Sequence, residues 1–208
     1  MDNNIIIIDY GSGNLRSAQK AFEHVGKGVV KLSSDPADLK LATHIVLPGV
    51  GAFGDCARGL RAIDGMIEAL EEEVLQKRKP FLGICVGMQL LADIGMEHGE
   101  HEGLGWIPGK VQKIKPKDKS LAIPHMGWNS LKLTKNQSIL GKMDDDVYFV
   151  HSYQFVCDDE YVVATAEYGG AINAIVAKDN IIGVQFHPEK SQKAGLELIS
   201  NFLEMQNE

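Results

Sequence analysis

Three short apolar runs are each followed by a turn and then by a helical pattern. The runs are Ile5–Ile8, 44–47 and 80–84. Continuous runs of this length are typical of strands buried on both faces of a parallel sheet. From residue 109 the pattern changes to short strands separated by polar turns, which favours antiparallel pairing. The sequence therefore predicts an α/β sandwich, in which a central, mostly parallel sheet has helices on both faces and an antiparallel β section.

The same patterns predict the bounds of the elements. Helices are expected over 15–25, 55–79, 88–92 and 192–205, and antiparallel strands over 110–114, 128–133, 147–150 and 161–166. The strands 171–177 and 181–186 should form a hairpin that turns at Asp179-Asn180. Asn14 can cap the first helix, and the acidic run 71–73 is expected to be a solvated face of the second.

The totals indicate a single soluble domain over 1–208. The chain is 44% apolar and 24% charged, and no Pro- or Ser-rich linker divides it. A net charge of -7 argues against a nucleic-acid partner. The apolar run at Ile5–Ile8 is too short to span a membrane and no basic region precedes it, so we expect a cytoplasmic protein. Its three cysteines are widely spaced, which disfavours a disulfide framework and a zinc site.

Cys85 lies where the third apolar run meets a helical pattern. Gly83 and Gly87 flank it in a G-x-C-x-G spacing, the thiol counterpart of the nucleophile elbow of serine hydrolases. At a helix start, unpaired N–H groups favour the thiolate and can also hold an oxyanion. The alternative is a small buried cysteine in a glycine-punctuated strand.

A base for this nucleophile is found at the end of the last strand. His187 leaves that strand on the edge where the Cys85 elbow opens, provided that the two strands are parallel. Glu189 follows in the same loop and can fix the tautomer of the imidazole. A lone histidine at a strand end is more often structural, so the triad reading depends on its coincidence with the elbow.

Three other patterns resemble parts of known binding sites. Gly11-x-Gly13 resembles the start of a dinucleotide fingerprint, but Arg16 stands at the third glycine position. The loop 48–54 has three glycines yet lacks the lysine and hydroxyl of a P-loop, so it is expected to present bare amides. His98 and His101 lie in a polar loop without a fixed ligand geometry, so no metal is expected.

Several motifs resemble a known family. The segments 83–89 and 185–189 are similar to the signature of class I glutamine amidotransferases, whose Cys-His-Glu triad releases ammonia from glutamine. Within that family, the segments 9–15, 48–53, 124–129 and 149–153 resemble the glutaminase subunits of imidazole glycerol phosphate synthases, in histidine biosynthesis. The resemblance extends from the first strand to residue 191.

The resemblance implies roles for individual residues and no cofactor. Cys85 would attack the carboxamide of glutamine, His187 would transfer protons and Glu189 would orient His187. Backbone N–H groups of Val50 and Val86 would hold the oxyanion, with the Val50 donor turned away in the isolated subunit. The substrate would be bound by Gly51, Gln89, Glu97, His151, Ser152 and Tyr153.

The resemblance also implies a partner. Such subunits form a heterodimer with a (β/α)8-barrel cyclase and pass ammonia to it through a channel. The positions that match the family interface are Asn14, Trp128, Tyr148 and Lys190. Each has an alternative role, respectively as a helix cap, a core aromatic residue, a strand residue and a solvated lysine.

Three other functions stay open at the level of sequence. The chain resembles a paralogous amidotransferase that supplies ammonia for amino-sugar synthesis on surface polysaccharides, and a free-standing γ-glutamyl hydrolase shares the same fold. A catalytically inactive binding module is the third alternative, which the intact Cys85, His187 and Glu189 disfavour.

Overall fold

The chain alternates strands and helices over its first half and is mainly strand over its second. The computed structural model describes residues 3–134 and 146–206. Its strands are β1 (Asn3–Ile8), β2 (Gly28–Ser33), β3 (His44–Gly49), β4 (Phe81–Cys85), β5 (Ile94–Gly95), β6 (His101–Glu102), β7 (Gly109–Lys113), β8 (His125–Leu133), β9 (Asp146–His151), β10 (Tyr153–Cys157), β11 (Val162–Glu167), β12 (Ala171–Lys178) and β13 (Ile181–Val184). Its α-helices are α1 (Leu15–Val25), α2 (Pro36–Leu39), α3 (Phe53–Arg61), α4 (Met66–Leu70), α5 (Val86–Gln89) and α6 (Gln192–Phe202), together with a π-helical segment, Glu71–Gln76, and a 3-10 turn, Pro188–Lys190.

A nine-stranded sheet forms the centre of the fold. Its strand order is β2-β1-β3-β4-β13-β12-β11-β8-β9. The first five strands in this order are parallel, and each later strand pairs antiparallel with its neighbour. A second sheet has the order β10-β7-β5-β6. The predicted fold class, a mostly parallel sheet with an antiparallel section, is therefore confirmed.

The apolar runs form the buried centre of the parallel half. Every residue of β3 and β4 is buried, and Ile5–Ile8 are at most 1% exposed. Helices α1 and α6 pack against each other through the rings of Phe22 and Phe202, which meet edge to face with centroids 6.3 Å apart. β4 lies between β3 and β13, so the turn that follows it opens at the middle of the sheet.

Several predicted bounds are confirmed. Helix α1 has the predicted residues, and the β12–β13 hairpin turns at Asp179-Asn180, with Asp179 in the left-handed region at φ +52°. The closing helix is shorter than predicted, and α5 begins and ends earlier than the predicted 88–92. Strand β2 was not predicted from the sequence. It is an edge strand that leaves Val29 66% exposed, so it has no continuous apolar run.

The prediction of one helix over 55–79 is wrong. Gly65 adopts a left-handed conformation at φ +75° and separates α3 from α4. The chain then continues from α4 into the π-helical segment, where the N–H of Lys77 donates to the carbonyl of Glu72 at 2.9 Å. Apolar spacing alone does not reveal a glycine break of this kind, because the i, i+3, i+4 pattern continues across it.

The acidic run is only partly the solvated face that was predicted, because Glu71 is exposed and Glu73 is not. Glu73 is fully buried, whereas Leu75 is 45% exposed. Because hydrogen bonds in a π-helix span five residues rather than four, each residue turns through a smaller angle and the inward face shifts along the sequence. The Glu73 carboxylate contacts Lys77 Nζ and Lys79 Nζ at 2.7 Å each. Lys79 Nζ also donates to the carbonyls of Leu39 and Lys40, so it ties α2 to the sheet.

Asn14 stands at the start of α1 but does not cap it. Its backbone, at φ -84° and ψ 59°, is not in the extended conformation of a capping residue, and its side chain makes no capping hydrogen bond. The predicted cap is therefore wrong. Asn14 instead lines a narrow cavity with His187 and Glu189.

The cytoplasmic location and the single domain, both expected from the sequence, stay predictions. None of the helices within residues 3–134 and 146–206 is long and apolar enough to cross a membrane. The single domain expected over 1–208 includes residues outside the described ranges. Within those ranges, strands from both ends of the chain, β1 and β13, belong to one sheet.

The buried ion pair gives a stability prediction. Replacing Lys79 by methionine should lower the free energy of unfolding by about 3 kcal/mol, because the Glu73 carboxylate keeps its burial and loses a buried partner. Urea denaturation at pH 7 measures the loss. The matched control is Lys77→Met, which removes a half-exposed lysine from the same carboxylate and should cost clearly less. Equal losses would contradict the assignment of Lys79 as the principal partner.

The same carboxylate predicts a dependence on pH. Burial raises the pKa of Glu73, but hydrogen bonds from Lys77 and Lys79 outweigh it and hold the pKa below its ordinary value. A carboxyl with a lowered folded-state pKa stabilises the fold above its unfolded pKa of about 4.3, and that contribution is lost as the pH falls through the folded value. The stability gap between the unchanged chain and Glu73→Gln should therefore be full above about pH 5 and shrink below about pH 4. Urea denaturation across this pH range tests the prediction, with Glu71→Gln, a change at an exposed position, as the control. A stability gap that does not change with pH would refute the prediction.

Candidate active site

Cys85 lies on a strained turn between β4 and α5. Its backbone has φ +55° and ψ -109°, a conformation that residues other than glycine rarely adopt. The two glycines of the G-x-C-x-G spacing allow this turn by leaving no side chain in the way. A Cβ at Gly87 would lie 1.8 Å from the carbonyl oxygen of Leu47, and one at Gly83 would lie 2.6 Å from the carbonyl oxygen of Gly87. The predicted elbow is therefore the geometry that the chain adopts.

His187 and Glu189 lie at the end of the neighbouring strand. β13 pairs in parallel with β4, which meets the condition set by the sequence for bringing His187 to the Cys85 edge. The two side chains are each 3% exposed, and His187 Nδ1 lies 2.9 Å from Glu189 Oε1. The carboxylate accepts, so Nδ1 carries a proton and Nε2 is free to exchange one. The backbone N–H of His187 donates to the carbonyl of Tyr148 at 2.9 Å and fixes the strand exit.

Electrostatics couple His187 to the cysteine. Burial acts to lower the pKa of His187, but hydrogen bonding and charge attraction from Cys85 and Glu189 outweigh it and raise the pKa to about 10. A protonated imidazole can stabilise a neighbouring negative charge and can donate a proton to a leaving group. Of the three residues named from the sequence as a triad, His187 bonds to Glu189, and it lines the same pocket as Cys85.

A pocket of about 320 Å³ opens above the elbow. That volume is at the lower end of the range for small-molecule sites. Its wall includes Cys85 and His187 together with most of the other residues expected to serve the reaction: Val50, Gly51, Val86, Gln89, Glu97, His151, Ser152, Tyr153 and Lys190. Glu189 lies behind His187, and Asn14, Trp128 and Tyr148 do not line this pocket.

The loop after β3 is held by two side chains from outside the pocket. The N–H of Val50 donates to Ser12 Oγ at 3.3 Å, and Ser12 Oγ donates to the carbonyl of Val50 at 2.6 Å. The Cys56 thiol also contacts that carbonyl, at 3.4 Å, and burial raises the pKa of this thiol. Gly51 follows at φ +94°, where glycine is favoured. The Val50 amide is thus engaged by Ser12, whereas the Val86 N–H, the first of α5, has no partner within its helix.

Two polar side chains line the pocket from different elements. The buried Gln89 donates through Nε2 to the carbonyl of Tyr153 at 3.1 Å and to Gln185 Oε1 at 3.0 Å. Glu97 Oε2 accepts from the N–H of Phe53, at the start of α3, at 2.8 Å. This bond leaves the other carboxylate oxygen of Glu97 available to a ligand.

His151 has both ring nitrogens engaged. Its Nδ1 lies 2.8 Å from the carbonyl of Tyr153, and its Nε2 lies 2.9 Å from His125 Nδ1. A carbonyl only accepts, so Nδ1 of His151 carries the hydrogen and Nε2 accepts from His125. Burial lowers the pKa of both histidines to about 4, so both are neutral. Any contact of His151 with a substrate is therefore made by its backbone or by the face of its ring.

Three of the four expected partner residues form one cluster. The rings of Trp128 and Tyr148 meet edge to face with centroids 5.8 Å apart, and Lys190 Nζ lies 5.7 Å from the centroid of the Tyr148 ring. Trp128 is 49% exposed, and Met126, on the same face of β8, is 59% exposed. Asn14 lies apart from the cluster, in the cavity behind His187.

Two buried side chains near the site, Gln185 and His125, were not predicted from the sequence. Gln185 lies two residues before His187, and its Nε2 lies 3.7 Å from Cys85 Sγ. His125 forms a hydrogen bond with His151. Both residues belong to motifs that were recognised, but nothing in their spacing shows which atoms they contact. His98 and His101 had been weighed as metal ligands; within the described residues, no group of three or more His, Cys, Asp or Glu is arranged to hold a metal.

Comparison with known proteins agrees with this geometry. The family model described as glutamine amidotransferase class-I matches residues 6–205. The imidazole glycerol phosphate synthase subunit HisH of Bradyrhizobium diazoefficiens is 54% identical over 210 residues, covering 96% of this chain and 97% of its own length. The HisH subunit of Rhodospirillum rubrum is 53% identical over 208 residues, with the same coverage of both chains.

Two solved structures share the fold at low identity. A crystal structure of a glutamine amidotransferase superposes with a TM-score of 0.73 at 18% identity, covering 96% of this chain and 97% of its own. PurLQS from Thermotoga maritima superposes with a TM-score of 0.72 at 20% identity, covering 98% of each chain. Because the family model spans nearly the whole chain and full-length relatives share half of its residues, this chain belongs to the class I glutamine amidotransferase family, alongside the HisH subunits of imidazole glycerol phosphate synthase.

Proposed function

We propose that this chain hydrolyses glutamine to glutamate and ammonia and delivers the ammonia to a cyclase subunit of imidazole glycerol phosphate synthase. The observation that carries the proposal is the strained Cys85 turn beside the His187–Glu189 pair, at the carboxyl ends of adjacent parallel strands. The relatives at about half identity are named as subunits of that synthase, which favours the histidine pathway over amino-sugar synthesis and over a free-standing hydrolase. The cytoplasmic location expected from the sequence forms part of the proposal.

The geometry suits two successive acyl transfers. The Cys85 thiolate attacks the side-chain carboxamide carbon of glutamine, and a C–S bond forms as the carbonyl oxygen becomes an oxyanion. His187 protonates the amide nitrogen as the C–N bond breaks and ammonia leaves. Water then attacks the thioester carbon and gives its proton to His187. The C–S bond breaks, which releases glutamate and restores the Cys85 thiolate beside a protonated His187. Glu189 holds His187 in the tautomer that both steps need.

Substrate recognition is assigned to the pocket wall. The free carboxylate oxygen of Glu97 provides a counter-charge for the α-ammonium of glutamine, and Gln89 and the 151–153 segment hold its amino-acid end. Gly51 allows the loop after β3 to approach the ligand with its backbone. What supports these roles is that the residues lie around one pocket with Cys85.

The oxyanion donors are proposed to be the N–H groups of Val50 and Val86. Ser12 Oγ accepts the Val50 N–H, so this donor is not free for an oxyanion in the structure described. We infer that the isolated chain is held in a state of low activity, and that the partner releases the Val50 peptide from Ser12. Losing one oxyanion donor costs other hydrolases about 3 to 4 kcal/mol of transition-state stabilisation, so the turn of one peptide is enough to silence the site.

The partner surface is assigned to the cluster of Trp128, Tyr148 and Lys190, together with Asn14. Exposed aromatic and methionine side chains on one strand face are enriched in protein interfaces. The backbone of Tyr148 bonds to that of His187, so a partner that contacts the cluster lies one residue from the triad. The proposed heterodimer therefore places its contact beside the site that releases ammonia.

The proposal is tested by glutamate release from glutamine, measured with and without the cyclase subunit and its nucleotide ligand. Activation by the cyclase with its ligand is expected. Cys85→Ala should lower kcat in the complex by more than about a thousandfold, because it removes the nucleophile. The matched control is Cys157→Ala, which changes a cysteine outside the pocket and should leave the rate unchanged. Full activity of the isolated chain, or of Cys85→Ala, would contradict the proposal.

The role of Ser12 has its own test. Ser12→Ala should raise the glutaminase activity of the isolated chain by about two- to tenfold, because one neutral hydrogen bond no longer holds the Val50 peptide. The activity of the fully loaded complex should change little, since the partner already releases the peptide there. Ser17→Ala, on α1, is the control for loss of a hydroxyl. If Ser12→Ala and the unchanged chain show the same glutaminase rate without the partner, Ser12 does not restrain the Val50 peptide.

A further inference from the structure

Gln185 lies directly beside the nucleophile and takes no part in the chemistry described above. It is completely buried, and its side-chain nitrogen lies 3.7 Å from Cys85 Sγ. β13 ends one residue before it, so the backbone that delivers His187 also delivers Gln185. The residue could simply fill the core, so the identity of the atom that faces the sulfur decides its role.

The hydrogen-bond network determines which end of the Gln185 amide faces the sulfur. The carbonyl of Tyr153 accepts a bond from the Gln89 side chain, and only the amide nitrogen of Gln89 can donate it. That same nitrogen contacts Gln185 at 3.0 Å, so the Gln185 atom that meets it must be an acceptor, Oε1. The other end of the amide, the NH₂ group, is therefore turned towards Cys85. An inverted amide would place two donors against each other at Gln89.

The network is anchored beyond Gln89. The carbonyl of Tyr153 also accepts from His151 Nδ1, whose other nitrogen accepts from His125. Asn129, on β8, lies 3.2 Å from the second nitrogen of His125. A chain of donors and acceptors with fixed directions thus runs from β8 to the sulfur, and no member can reverse without leaving a buried group unpaired.

We propose that Gln185 is a positioning residue that donates a hydrogen bond to the Cys85 sulfur and thereby favours the thiolate. A hydrogen bond to the charged form of a group stabilises that form, and it is stronger than a bond to the neutral form. The Gln185 amide nitrogen lies 3.7 Å from Cys85 Sγ, so it acts on the sulfur together with the protonated His187 and before a substrate arrives. The inference deepens the proposed function, because it concerns the nucleophile that the proposal names.

The test is the rate at which Cys85 is alkylated by iodoacetamide as a function of pH, followed by mass spectrometry of the peptide that contains it. Gln185→Met keeps the length of the side chain and removes the donor. The midpoint of its profile should move up by about one pH unit, which corresponds to about tenfold slower alkylation below the midpoint. Gln112→Met, on β7 and outside the pocket, is the matched control and should leave the profile unchanged.

A second variant covers the case in which Gln185→Met does not fold. Gln185→Glu retains the shape and can still accept from Gln89, but it places an oxygen in the position of the NH₂ group. Its midpoint should move up at least as far. An unchanged midpoint in a folded variant, by either substitution, would overturn the proposal, since a purely structural glutamine has no effect on the ionisation of the sulfur.

Glutaminase activity separates this inference from the proposed function. If the alkylation profile shifts as expected while the unchanged complex releases no glutamate, the role of Gln185 stands and the proposed function fails. If the complex is active and the profile does not move, the proposed function stands and the role of Gln185 fails. Where both hold, kcat of Gln185→Met should fall most at low pH and recover as the pH rises.

Discussion

The parallel pairing of β4 with β3 on one side and β13 on the other is the constraint on which the site depends. Parallel strands release their loops at a common edge, so the loop that carries Val50, the Cys85 turn and the His187 exit meet without any long connection. The pairing is maintained by complete burial of β3 and β4, which the hydrophobic effect favours. A shift in the pairing of either neighbour would move one of the three loops away from the pocket.

The core of this arrangement could be predicted from the sequence because it is encoded locally. A run of apolar residues predicts a strand buried on both faces. Gly83 and Gly87 indicate that backbone segments approach each other closely at the Cys85 turn. The edge strand β2 was missed because only a strand with a buried face carries a hydrophobic pattern. The inward turn of Glu73 was missed because it depends on a π-helical segment, whose hydrogen bonds leave no simple spacing in the sequence.

The orientation of buried polar groups was beyond the sequence for a different reason. Which end of the Gln185 amide faces the sulfur is determined by Gln89, which is oriented in turn by a carbonyl on β10. The tautomers of the neutral His125 and His151 are likewise determined by their contact with each other and by a carbonyl. Directions of this kind are a property of the closed network rather than of any one residue, so they become visible only when all of its members are in place.

The close approach of Gly87 to the carbonyl of Leu47 limits which substitutions such a chain could accumulate if selection for its activity were relaxed. Gly87 is needed for α5 to approach β3, and Gly83 is needed for α5 to approach β4, whether or not a sulfur lies between them. A descendant that exchanged its cysteine for another small residue would lose its chemistry and could keep its fold, whereas one that exchanged Gly87 would lose both. The two glycines would thus be retained after catalytic activity is lost. A G-x-x-x-G spacing without its cysteine would therefore indicate descent from an active enzyme.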